Sequence, residues 1–90
     1  MAKLKNVKFK HGKLYWSTDG QDIVLLRYLK FYEEFNELMF ELVHILKCTS
    51  NDIGTIGEKI RLHKEHIIEN KIRFRNARPS EVILYGKKET

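Results

Sequence analysis

The sequence predicts an α+β fold: an N-terminal β-hairpin, a long amphipathic helix, two short helices and a C-terminal β-hairpin. Three observations predict it. Residues 4–10 alternate in polarity, apolar residues recur at helical spacing from Asp22 to Lys47, and the period returns to two after Lys71. Ninety residues make one domain, 1–90, with a core that is marginal without a disulfide, a metal or a second subunit.

In the first segment (residues 1–18), Leu4 to Lys10 alternate, His11-Gly12-Lys13 supplies a turn, and Leu14-Tyr15-Trp16 resumes an extended pattern. Ser17 to Gly20 form a break that supplies a helix cap. The long helix is then expected over 21–48. Leu25, Tyr28, Tyr32, Phe35, Met39, Leu42 and Leu46 form its seam, and Val24, Phe31, Leu38 and Ile45 widen it. Leu26, Leu29, Phe40 and Val43 fall outside that seam, giving more apolar surface than one small domain covers. They are therefore the expected interface of a homodimer. Ser50, Asn51 or Asp52 would cap a second helix running to Ile60. Arg61-Leu62-His63 would turn the chain, and a third helix would run from Lys64 to about Lys71. Ile72 to Arg75 and Glu81 to Tyr85 would form the final hairpin, with Pro79 in its loop.

Charge is segregated along the chain. The net charge is +5, yet the start of the chain and residues 70–80 are basic and free of acids, while Asp19, Asp22, Glu33, Glu34, Glu37 and Glu41 lie between them. A solvated surface intersperses both signs, so segregation indicates a side that faces a polyanion. The expected DNA-binding residues are Lys5, Lys8, Lys10 and Lys13 on the first hairpin, and Lys71, Arg73, Arg75 and Arg78 on and near the last. Lysines serve as phosphate contacts, and arginine suits bidentate contact with guanine. Any single lysine on an edge strand also deters aggregation, so the grouping carries the expectation.

Other chemistry finds little support. His63 and His66 are three apart, but no cysteine or carboxylate cluster completes a metal site. His44 and Cys48 sit four apart with no orienting partner for a nucleophile. No glycine-rich phosphate loop and no paired-carboxylate signature is present. The expectation is a non-enzymatic protein without metal or cofactor. One cysteine and no apolar leader suggest a soluble cytoplasmic protein, and the charges between Ile23 and Leu46 exclude a membrane span.

Residues 51–71 place Ile56, Gly57, Ile60, Leu62 and Ile67 where a helix-turn-helix has its anchors and its small residue, and the basic hairpin 72–86 follows as a wing. In this order the chain resembles the winged helix-turn-helix superfamily. The start KLKNVKFKHGKLYW and the wing IRFRNARPSEVILYG beside an acid-bearing third helix further resemble the TcpK-like relaxosome accessory proteins of conjugative plasmids. That resemblance implies a dimer binding double-stranded DNA near a plasmid transfer origin, among other nucleoprotein components, through its wing instead of its recognition helix. Two other roles fit the residues. One is a dimeric transcriptional repressor. The other is a small protein-interaction module or inhibitor of a host enzyme, using Tyr28, Phe31, Tyr32, Phe35 and Phe40.

Overall fold

The computed structural model describes residues 9–49 and 55–85. In chain order the elements are β1 (Leu14–Thr18), β2 (Ile23–Tyr32), β3 (Glu37–Lys47), β4 (Lys59–His63), α1 (Lys64–Glu69), β5 (Arg73–Asn76) and α2 (Pro79–Tyr85). The strands form one antiparallel sheet in the order β4-β3-β2-β1-β5, so β4 and β5 are its two edges.

The long helix expected over 21–48 is instead the β2–β3 hairpin. Its chain reversal lies at Glu33–Asn36, between the paired residues Tyr32 and Glu37, and Asn36 takes a left-handed φ of 54°. Asparagine tolerates that conformation better than most residues. Leu38, Phe40 and Leu42 alternate into the core at period two. The pairing register shifts beside Leu29, Val43 and Leu46, each an extra residue against its partner strand. A bulge of this kind turns an i, i+2 step into i, i+3. Tyr28 and Phe31 therefore share a face, as do Leu42 and Ile45, and their spacing imitates a helix.

The expected dimer interface does not survive this change. Leu26 and Phe40 are buried in the chain's own core, at 2% and 0% exposure. Leu29 and Val43 are half-buried at the bulges. None of the four lies on a spare helical face, because there is no such helix.

Between Thr55 and Glu58 the chain makes a turn, and Lys59 to His63 is a strand where a second helix and a turn were expected. Gly57 takes a φ of 93°, and nothing would crowd a Cβ there. Its glycine therefore serves a left-handed turn and not the approach of two helices. The third expected helix does form, as α1. His63 caps it by accepting the Glu65 N–H, and Ile67 is its buried residue. Lys71 is left-handed, Lys71 N–H donates to Ile68 O, and Ile72 N–H donates to Ile67 O. This pattern closes a helix and returns Ile72 to the core beside Ile67.

The expected wing is not a hairpin. Arg73–Asn76 is a strand as expected, but it pairs with β1, and the expected return strand 81–85 is the helix α2. Pro79 stands first in α2. The Glu81 carboxylate reaches back to the Arg78 N–H at 2.7 Å, as a third-position glutamate does in a capping box. The winged helix-turn-helix architecture is thus replaced by a five-stranded sheet with two short helices.

The sheet is strongly curled. Three strand steps separate β3 from β5, about 14 Å in a flat sheet, yet the Phe40 and Phe74 rings stack with centroids 5.5 Å apart. Phe9 fills the concavity, with its ring 4.9 Å from Tyr15, 5.3 Å from Tyr28, 5.5 Å from Phe40 and 5.1 Å from Phe74. α1 closes this concave face through Ile67. The convex face carries a smaller cluster of Leu14, Trp16 and Leu25, against which Ala77 and Tyr85 pack.

Candidate nucleic-acid interface

Two of the eight expected DNA-binding residues, Lys5 and Lys8, lie outside the described residues. Lys10 and Lys13 flank the His11-Gly12 turn and are exposed. Lys71 is exposed at the end of α1, Arg73 and Arg75 lie on the edge strand β5, and Arg78 precedes α2. The β1–β5 register pairs Trp16 with Arg75 and Thr18 with Arg73. It continues past the strand ends, since Ala77 N–H donates to Leu14 O at 3.1 Å. The fold thus gathers Lys71, Arg73, Arg75 and Arg78 along the β5 edge, with Lys13 just ahead of the neighbouring strand β1.

These cations are not equivalent. Arg75 is clamped: its two terminal nitrogens donate to the two Glu81 oxygens at 3.2 and 3.1 Å, and its guanidinium lies 5.9 Å from the Trp16 ring. A guanidinium held this way is not available for a bidentate base contact. Arg73 and Arg78 have no acid within ion-pair distance among the described residues. The other edge differs. Arg61 on β4 faces Glu37 at 3.6 Å and covers the Tyr32 ring, while Arg27 pairs with Glu41 at 3.3 Å on the sheet between. Both of these arginines have carboxylate partners, as Arg75 does, whereas Arg73 and Arg78 have none among the described residues.

α1 is a poor reader of a DNA groove. It spans six residues, buries Ile67 against the sheet and exposes Glu65 and Glu69. Such a segment is about 9 Å long, and its outward charge is negative.

Beneath the basic edge lies a groove of about 580 Å³ between α2 and the convex face, lined by Trp16, Leu46, Arg73, Arg75, Glu81 and Tyr85. Tyr85 meets Trp16 edge-on at 5.6 Å and stacks on His44 at 4.6 Å. The Trp16 indole N–H is buried and falls short of full hydrogen-bond geometry, lying beside the Glu81 carboxylate that it helps to hold ionised. A buried donor left wholly unpaired costs roughly 1–3 kcal/mol. The Glu81 carboxylate is its neighbour and retains acceptor capacity, since Oε2 takes only one bond from Arg75. Sequence reading missed this groove because Trp16 and Tyr85 are remote in the chain. The nearest legible signal was Pro79 followed two residues later by Glu81, a helix start.

Arg75 first, then the Arg78 N–H, hold the Glu81 carboxyl down to about 2 from its usual 4.5. A depressed carboxylate contributes stability above its unfolded value and loses it as pH falls through the folded one. The Glu81 clamp on α2 is therefore complete above about pH 4.5 and released toward pH 2. Trp16 fluorescence should change over that interval in the wild type. Glu81→Gln should remove the transition, and a persisting transition would assign it elsewhere.

On the concave face, a second cavity of about 330 Å³ is bordered by Ser17, Asp19, Asp22 and His66. Its carboxylates are occupied. Asp19 accepts the N–H groups of Asp22 and Gln21, each at 2.9 Å, and these backbone bonds lower its pKa. Asp22 accepts the Thr49 N–H and hydroxyl, tying the end of β3 to the start of β2. Among the described residues no cluster of histidine, cysteine, aspartate and glutamate could hold a metal ion, and no helix is long and apolar enough to cross a membrane.

The chain matches no family model, and neither a curated protein sequence nor a solved structure is significantly similar to it.

Proposed function

We propose that this protein binds nucleic acid along the β5 edge, with phosphates contacting Arg73, Arg78, Lys71 and Lys13. The single observation that carries this reading is the asymmetry of charge compensation. The two arginines of the β2–β3–β4 side, Arg27 and Arg61, have glutamate partners, whereas Arg73 and Arg78 on the β5 side have no described acid. Uncompensated cations aligned on one edge attract a polyanion and release its counterions on binding.

The geometry supports contact with the nucleic-acid backbone more than base reading by a wing or a recognition helix. The hairpin that would have carried the wing is absent, and Arg75 is committed to Glu81. Roles at a plasmid transfer origin or as a repressor came with the winged-helix resemblance, and no separate feature of the fold supports them. Edge-strand cations also deter edge-to-edge aggregation, so binding itself has to be measured. With four cations engaged per chain, the log of the binding constant should fall against the log of salt with a slope of about −3 to −4. Fluorescence anisotropy of a labelled oligonucleotide between low and moderate salt reads this slope. Absence of binding at low salt would refute the reading.

A further inference from the structure

We infer that the groove between α2 and the convex sheet face is a pocket for an unpaired base, so that the ligand of the basic edge is a single strand. This inference rests on the nucleic-acid reading above. The groove has the two kinds of wall that an extruded base needs. Trp16 and Tyr85 offer aromatic surface, and Leu46, an apolar side chain 53% exposed at the end of β3, forms an aliphatic lip. The volume, about 580 Å³, lies within the ordinary range for small-molecule pockets.

The polar groups are placed accordingly. Arg73 and Arg75 are both on the groove wall, and Arg73 has no described acid partner, so a phosphate beside the bound base meets its guanidinium. Trp16 is 5% exposed and lines the groove, with its indole N–H buried beside the Glu81 carboxylate. A duplex keeps its bases stacked and paired, so only a single strand presents one without an opening cost. The pocket and the cationic edge share Arg73, which makes them one continuous surface: phosphates run along β5 while a base turns inward.

Trp16 is the only tryptophan in the chain, so its emission reports the groove directly. The full-length protein is titrated at low salt with an oligothymidylate and, separately, with a duplex of equal length. Anisotropy of an end label is followed in parallel. The single strand should quench or shift Trp16 emission in step with anisotropy and bind at least about tenfold more tightly than the duplex, as expected for one lost stacking contact. Leu46→Glu places a carboxylate at the lip of the groove without touching the core. It should weaken single-strand binding by about tenfold, with unchanged far-UV circular dichroism. Tyr85→Leu should do the same and serves as the second variant. Binding by anisotropy with silent Trp16 emission, or equal responses to single strand and duplex, would overturn the base pocket while leaving the basic edge in place. No binding of either ligand at low salt would overturn both.

Discussion

Phe40→Ala is expected to cost about 3–5 kcal/mol, a large share of the ~5–15 kcal/mol that holds a domain together. Phe40 is fully buried on β3, where its ring meets Phe9, Tyr28 and Phe74. Removing it deletes the contact that joins the middle of the sheet to the curled β5 edge, and the neighbouring rings cannot all collapse into the space. Phe35 is the control: it lies in the β2–β3 turn at 54% exposure, and Phe35→Ala should change stability by no more than about 0.5 kcal/mol. Urea denaturation midpoints for the two variants provide the check. Equal midpoints would mean that β3 does not run through the core as described.

The second large effect is on binding. Arg73→Glu combined with Arg78→Glu should weaken nucleic-acid binding at low salt by on the order of 100-fold and flatten the salt slope by about 2, one for each phosphate contact removed. Both side chains are exposed, and Arg78 joins the α2 cap only through its backbone, so the fold should persist. Lys59→Glu on the opposite edge makes a charge change of the same sign and should leave the slope nearly unchanged. Glu65→Ala on α1 should also have little effect, because α1 presents no cationic surface to a groove. If Lys59→Glu and the β5 pair weaken binding equally for each charge changed, net charge alone drives association and the β5 edge is not a site.

The two expectations differ in how far the chain announces them. Arg73 and Arg78 stand in an acid-free run, so their lack of a local acid partner was legible in the chain. That Arg75, between them, is held by Glu81 was not legible, because the pair forms only once α2 folds back over β5. The α2 helix was itself misread. Pro79 and Glu81 spell a helix start, but Val82, Ile83 and Tyr85 favour a strand, and the strand reading fitted a wing. α2 leaves Val82, Ile83 and Leu84 exposed and docks through Glu81 and Tyr85.

Local signals alone determined the His11-Gly12 turn, the extended Leu14-Tyr15-Trp16, the break at Ser17 to Gly20, the helix beginning at Lys64 and the strand at Arg73. Each depends on a few adjacent residues with one dominant preference. Only the tertiary structure decided that residues 23–47 form two strands instead of one helix. In that stretch apolar side chains occupy both faces of the central strands, and extra residues at Leu29, Val43 and Leu46 shift the alternation from two to three. Both periods then describe the same residues. The surplus apolar surface that suggested a dimer was the trace of this ambiguity: it belongs to sheet faces covered by Phe9 and α1 on one side and by α2 on the other. The choice rests on contacts such as Phe40 with Phe74 and Trp16 with Tyr85. Their partners are far apart in sequence, so their energy is available only after the sheet has closed and no local window of the chain contains it.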